Sequence, residues 1–475
     1  MRTPLAPRGR PIGRSIDWLH TRVLIPAYET GLKRRRTFAI WRGLEKSQWL
    51  SGEEIGRLQF QALRRLLTHA AETCAYFRDR WAELALDPAS IQSVRDLERW
   101  PVISKHDLRA NRQTIRSSLG LDMLSKTTSG STGEPFTIEY DTGSLDRRMA
   151  AAFRGYSWAE APPGAKQFYY WGVPVLSRAW RARWKDEWHH RLYRRVLENC
   201  LEFRDHAAID VLVRYERARP AALVAYTRPL YELSRLLSER GLRPTPPRAI
   251  VVGAEKLHDF QRALIESVWG APVFETYGCR EVMLIGAECD RHSGLHLTSE
   301  HLVVEIVDED GRAVSDGQEG RVVVTDLYNY GAPFIRYDLG DRAVKSGRRC
   351  PCGRGLPMLE RVVGRRLDVV VTPDGRLVPG EAFPYIFKDV PEVGRYQVVQ
   401  VAGDRLEVRI EPRSDWSPEV AASLMDRLRV VLGTEIGVHL QTVDRLDSGT
   451  SDKLLVVRNP WLAQQREAVR PTRAS

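Results

Sequence analysis

The chain changes its pattern near residue 295, and that change limits the available folds more than any other feature. From 222 to 282 helices and short apolar strands alternate: a Leu-rich helix at 229–240, the strand RAIVVG (248–253), a helix at 257–268 and the strand PVFETYG (272–278). Short apolar runs between helical patterns predict a largely parallel sheet covered on both faces. From 295 the strands alternate apolar with polar residues and meet Asp-Gly, as in HLVVEIVDEDG (301–311) before GRVVVTDL (320–327). Asp-Gly between alternating runs is a hairpin signal. After Gly364 the pattern is that of a small α+β domain, with a helix at 417–432 near its end. A chain of 475 residues exceeds what one hydrophobic core sustains, so at least two domains are expected.

Toward the N-terminus, Leu58, Leu63, Leu66, Leu67, Ala70 and Ala71 predict an amphipathic helix over 58–80. SKHDL (104–108) reads as a capped helix start, 145–155 as a helix and KQFYYWGVPVL (166–176) as a buried strand. Trp180, Trp184 and Trp188 stand at i, i+4 and i+8, which puts three indoles on one helix face. Two readings of that face stay open: a packed helix with snorkelling arginines, or a surface for an aromatic or lipid-linked substrate.

Composition excludes several classes. Apolar residues at 43% and charged residues at 28% describe a globular protein. No run of 18 apolar residues suggests a membrane span, and the basic N-terminus has no apolar h-region of a secretory signal. Six cysteines are too few for a disulfide scaffold, so a reducing cytoplasm is expected. The net charge of +11 is uneven: residues 1–50 hold +8, with Lys33-Arg34-Arg35-Arg36 opposed only by Asp17, Glu29 and Glu45. This basic arm is either a solvated tail or a contact with an acidic surface such as anionic lipid, nucleic acid or a charged polymer.

The segment most suggestive of chemistry is TTSGSTGEP, Thr127 to Pro135. Two glycines among hydroxyl side chains give a loop dense in backbone N–H groups that can wrap phosphate oxygens. It is not a Walker A loop, because Glu134-Pro135 follow Gly133 where Lys-Ser/Thr would be needed.

This nonamer resembles the phosphate loop of the adenylate-forming superfamily, which includes acyl-CoA ligases, luciferases and peptide-synthetase adenylation domains. Five further segments follow in that superfamily's order: GAEKL (Gly253 to Leu257), ETYGCRE (Glu275 to Glu281), RYDLGD (Arg336 to Asp341), VVGRRLD (Val362 to Asp368) and SGTSDKL (Ser448 to Leu454). LLTHAAETCAYFRDRW, DLERWPVISKHDL and CPCGRGLPMLERVVGR resemble the phenylacetate–CoA ligase group and its CapK-like relatives in particular.

The resemblance implies an α/β fold: a large multi-sheet N-terminal adenylate-forming domain and a smaller α+β C-terminal domain joined by a hinge. The boundaries would be a basic arm at 1–50, a large AMP-binding domain at 51–364 and a small mobile domain at 365–475. It implies ATP-dependent activation of a small-molecule carboxylic acid through an acyl-adenylate, with pyrophosphate release. The acyl group would then pass to CoA or to a sugar, amine or other acceptor. By the same resemblance, Ser129, Gly130, Ser131, Thr132 and Gly133 would hold the β- and γ-phosphates. Gly253, Ala254 and Glu255 would lie along the adenine, with Tyr277 and Gly278 beside it or beside the acyl pocket. Glu281 would hold Mg²⁺, Asp341 the ribose hydroxyls and Arg365 the nucleotide from the hinge, while Lys453 would bridge carboxylate and phosphate as the catalytic cation. A physical need underlies this set, since attack of a carboxylate on a phosphate brings two anions together.

Cys289, His296, Cys350 and Cys352 could form a Cys₃His structural zinc site of the kind some members of that group carry; His292 is a second candidate for the histidine. The pattern departs from the family in three places. Leu367 stands where the hinge usually has a first acidic residue, Arg280 where Thr or Ser is common, and Asp452 where a glycine usually precedes the lysine. The alternative is a fold relative without turnover, acting as a scaffold or a polymer- or membrane-binding protein, for instance in polysaccharide biosynthesis. The oligomeric state is not legible.

Overall fold

The computed structural model describes residues 11–128, 136–172, 180–200, 208–365, 369–380, 382–387, 390, 392–446 and 457–462. Contacts divide the chain into two compact units. Among the described residues, the larger comprises 11–128, 136–339 and 343–362, and the smaller 340–342 and the chain from Val363.

The large unit is built on an eleven-stranded mixed sheet. In its parallel half, Arg195–Asn199, Gln167–Trp171, Ala222–Tyr226, Ala249–Gly253 and Val273–Cys279 lie side by side. Their side chains, such as Leu223, Ile250 and Val273, are buried against Leu230, Leu233, Ile265 and Trp269 of the helices Thr227–Glu239 and Asp259–Trp269. This is the covered parallel sheet that the α/β rhythm predicts. Beyond Val273–Cys279 the pairing turns antiparallel, through Met283–Glu288 and Leu295–Leu297. The outer antiparallel pair is Leu302–Val307 with Glu319–Asp326. Asp310-Gly311 does turn the chain, with Gly311 at φ +84°, but sends it first onto Ile306–Asp308 before the second strand begins.

Helix Gly52–Thr73 starts in a reciprocal capping box between Ser51 and Glu54 and lays Leu63, Leu66 and Leu67 on the antiparallel half. Lys105–Ala110 is capped in the same way by Ser104 and Asp107, as SKHDL predicts. Helix Thr142–Trp158 is capped by Asp141: Oδ1 accepts from the Ser144 N–H at 2.9 Å, and Oδ2 accepts from the N–H groups of Tyr330 and Gly331. One carboxylate thereby fixes the start of a helix and a loop almost two hundred residues away.

The N-terminal segment, expected as a basic arm, is helical from 11 to 32 and again at Thr37–Ser47. Ile25, Phe38, Trp41 and Leu44 are buried with Phe153 and Tyr193. The charge run hid an apolar face, because Phe38, Trp41 and Leu44 recur at helical spacing.

In the small unit, Arg405–Pro412 lies between Val393–Ala402 (antiparallel) and Gly437–Thr442 (parallel), and Val457–Arg458 adds to the far side. Helix Pro418–Leu432 buries Leu424, Leu428 and Leu432 with Val398, Leu406, Val408 and Ile410. No described helix is long and apolar enough to cross a membrane.

Candidate functional site

Val273–Cys279 is the strand on which the sheet changes sense. One edge pairs in parallel with Ala249–Gly253, and the other pairs antiparallel with Met283–Glu288. Ligands of open α/β sheets bind beyond the carboxyl ends of parallel strands. Here those ends carry Gly253-Ala254-Glu255 and Tyr277-Gly278.

Local packing explains the residue types. A Cβ on Gly253 would lie 2.5 Å from Oγ1 of Thr276, whose hydroxyl donates to the Val252 carbonyl at 2.8 Å, so only glycine fits. Ala254 then takes φ +72°, a left-handed conformation unfavourable for a residue with a Cβ. The turned-out backbone is held by two contacts. The Glu255 carbonyl accepts from the Thr227 hydroxyl at 3.0 Å, and its carboxylate accepts from the Arg228 N–H at 3.0 Å. Tyr277 is buried, and a Cβ on Gly278 would strike the Met283 carbonyl. The structure therefore sets Gly253, at the end of its strand, against Thr276 on the neighbouring strand just before Tyr277-Gly278, with Ala254 and Glu255 in the bend that follows.

Beneath them two carboxylates share one environment. Glu275 accepts from the Leu257 N–H at 3.1 Å, fastening the chain after Glu255. Burial pushes its carboxyl up to about 7, and the neighbouring charge of Glu288 adds to the effect. Burial alone would raise Glu288 as well. The hydrogen bond from His292, the Arg262 guanidinium at 2.8 and 3.0 Å and the Glu275 N–H overcome it and hold Glu288 below the usual range.

Glu281 stands in the turn between Val273–Cys279 and Met283–Glu288, half-buried. Its carbonyl accepts from Nη1 of Arg148, a fully buried guanidinium. Arg148 also gives Nη2 to Oδ2 of Asp326 at 2.7 Å and Nε to the Ser144 hydroxyl at 2.9 Å. His301 is buried beside the same aspartate, Nδ1 at 3.7 Å from Oδ1, and its desolvation lowers the imidazole to about 4, so it is neutral. Sequence reasoning missed this network. Its one legible signal is Ser144 and Arg148, four residues apart on a helix otherwise turned inward. The Glu281 carboxylate makes no ion pair among the described residues.

Asp341 is half-buried on the strand Tyr337–Ser346. Arg336, which opens the same motif, is buried and structural: its guanidinium pairs with Glu305 at 3.0 Å and donates to the carbonyls of Trp100 and Gly311. Arg365 closes the strand Met358–Arg365. Ser129, Gly130, Ser131, Thr132, Gly133 and Lys453 lie outside the described residues.

The cysteine set is assembled. Ligand atoms of Cys289, His296, Cys350 and Cys352 all lie within 4.8 Å of one another. Sγ of Cys289 and Cys350 are 3.6 Å apart, and Sγ of Cys352 is 3.4 Å from Nε2 of His296. A tetrahedron with ordinary zinc–sulfur and zinc–nitrogen bonds has edges of about 3.4–3.8 Å, so these residues fit a four-coordinate ion. Cys289, His296 and Cys350 are buried, and Trp158, Ile55 and Leu284 enclose the cluster. His292 is instead held by Glu288, and His296 is the histidine that lies with the three cysteines. Burial raises the Cys289 thiol and lowers the His296 imidazole to about 4; a bound cation would reverse the first and use the neutral ring of the second.

No family model matches the chain. A phenylacetate–coenzyme A ligase of Thermus thermophilus is 23% identical over 79% of this chain and 85% of its own length. Protein CapK of Staphylococcus aureus is 22% identical over 76% of this chain and 80% of its own. Among solved structures, 2-hydroxyisobutyryl-CoA ligase in the postadenylation state with 2-HIB-AMP superposes with a TM-score of 0.69 at 19% identity, covering 88% of this chain and 93% of that one. The large mixed sheet with a small C-terminal sheet is thus the fold of adenylate-forming ligases. The chain shares that fold, and the phenylacetate–CoA ligases and CapK are its distant homologues.

Proposed function

We propose that the protein is an adenylate-forming ligase of the acid–CoA ligase type. It would activate a small carboxylic acid with ATP and pass the acyl group to CoA or to another nucleophile. The observation that carries the proposal is that Gly253-Ala254-Glu255 and Tyr277-Gly278 stand at the carboxyl ends of two adjacent parallel strands, the second leading into the turn that carries Glu281. Glycines at the ends of both strands leave backbone without side chains, which suits the approach of a flat purine, and Tyr277 would add an aromatic wall.

In this reading Ser129–Gly133 hold the β- and γ-phosphates with backbone N–H groups, and Asp341 accepts from both ribose hydroxyls. Arg365 supports the nucleotide and Lys453 neutralises charge gathering on the α-phosphate. Glu281 would hold Mg²⁺, which offsets phosphate charge when bound. Residues 51–364 and 365–475 would act as the large and small domains about the VVGRRLD hinge. Cys289, His296, Cys350 and Cys352 would hold zinc as a closed structural site, far from needing an open coordination position. The reading is tested by calorimetry: Asp341→Ala should weaken ATP binding by roughly 2–3 kcal/mol, the cost of unpaired hydroxyls in a site built for them. Unchanged affinity would remove Asp341 from the site.

A further inference from the structure

The helical run from 11 to 32 leaves large apolar side chains in solvent while burying several polar ones. Beside the buried Ile25 and Pro26, its inward residues include three polar ones: Asp17 pairs with Arg194 and Arg248, Thr21 donates to the carbonyls of Asp17 and Pro163 at 2.7 Å, and Glu29 accepts from the Tyr193 hydroxyl at 2.9 Å. Its outward residues are apolar: Ile16, Trp18, Leu19, Val23 and Leu24 are all exposed, Trp18 by 61%. Six of the exposed large hydrophobics of the described chain fall between 16 and 32. The patch continues onto helix Trp180–Leu192, where Trp188 packs on Tyr28 with ring centroids 5.5 Å apart and Trp184 is 69% exposed. The packed-helix reading of the tryptophan series therefore fails at Trp184.

Charge identifies what this face meets. Asp17 and Glu29 are neutralised inward by Arg194, Arg248 and Arg35, so neither offsets the cations at the surface. Arg22, Arg34 and Arg36 are exposed beside the apolar residues, within a segment of net charge +8 over its first fifty residues. We propose that this face docks on an anionic lipid surface, with Trp18, Leu19, Val23 and Leu24 entering the headgroup region and the arginines meeting lipid phosphates. Interfacial helices have this make-up, with tryptophan and aliphatic residues on one side and arginine flanking them. A second copy would bring the same cations against these, which like-charge repulsion opposes. A nucleic acid would match the arginines but leave five apolar side chains in water.

The test is sedimentation of the full chain with sucrose-loaded vesicles of equimolar phosphatidylcholine and phosphatidylglycerol, at about 0.1 M salt where charges a Debye length apart still attract. The wild type should sediment with these vesicles and far less with phosphatidylcholine alone. Trp18→Ser/Val23→Ser should weaken partitioning about tenfold or more through lost apolar insertion. Arg22→Gln/Arg34→Gln/Arg36→Gln should weaken it on the order of a hundredfold. Both sets of positions are exposed, and circular dichroism checks each variant's fold. No sedimentation of the wild type with anionic vesicles overturns the proposal, as does equal sedimentation of wild type and both variants. A dimer in sedimentation velocity that Trp18→Ser/Val23→Ser dissolves, without vesicle binding, assigns the face to a second copy. Binding of an oligonucleotide in place of vesicles, lost only in the arginine variant, assigns it to nucleic acid.

Discussion

Arg148 and Asp326, neither exposed to solvent, join at 2.7 Å, and the same guanidinium holds the carbonyl of Glu281 through its other terminal nitrogen. A buried ion pair thus sets the turn on which the candidate Mg²⁺ ligand stands. Taking both charges out of water costs several kcal/mol, and the geometry offsets it only while both partners are present.

Removing one partner should therefore be expensive. Asp326→Ala leaves Arg148 buried and uncompensated and should cost about 3–5 kcal/mol in urea denaturation of the full chain. Arg148→Met/Asp326→Leu removes both charges and should recover much of that loss. A loss under about 1 kcal/mol in Asp326→Ala, the range of surface pairs, would contradict the account.

Glu275 makes stability depend on pH. Its folded carboxyl stays protonated to about 7, above its ordinary 4.5. The stability it contributes is complete below 4.5 and is lost as pH rises through 7. Glu275→Gln keeps the Oε1 acceptor for Leu257 but cannot ionise. The variant should gain on the wild type by up to roughly 3 kcal/mol between pH 4.5 and 7.5. Parallel stability curves across that window would show that Glu275 ionises normally.

The cysteine cluster should hold metal without any being added. Elemental analysis of protein purified from cells should find about one zinc per chain. Cys350→Ser should lower that content and the unfolding temperature together. A metal-free preparation as stable as the loaded one would refute a structural site.

The glycine-bearing segments could be read from the sequence because each is set by local backbone demands. Gly253 is required by the approach of Thr276, and Gly278 by that of the Met283 carbonyl. The Cys₃His set could be read because few residue types ligate zinc, although Cys289 and Cys350 meet only through the packing of distant strands. Asp326 and His301 could not, and Arg148 only through its spacing from Ser144, since little local marks a charged residue for burial when its partner is 178 residues away. The inward polarity of 11–32 was hidden for the same reason: Asp17 and Glu29 look solvated until Arg194 and Tyr193 come beside them. The eleven-stranded sheet also joins its parallel and antiparallel halves through one strand, which a sequence divided into patterns does not show.

Acyl-adenylate formation is the step proposed for this chain, and carboxylate-dependent exchange of labelled pyrophosphate into ATP reads it alone. Across aliphatic, hydroxylated and aromatic acids, the wild type should exchange with at least one. Lys453→Ala should slow that exchange by roughly 10²–10⁴-fold, the effect of losing a charge contact made in the transition state. Exchange by Lys453→Ala at the wild-type rate, or no exchange by the wild type with any acid, would contradict the account.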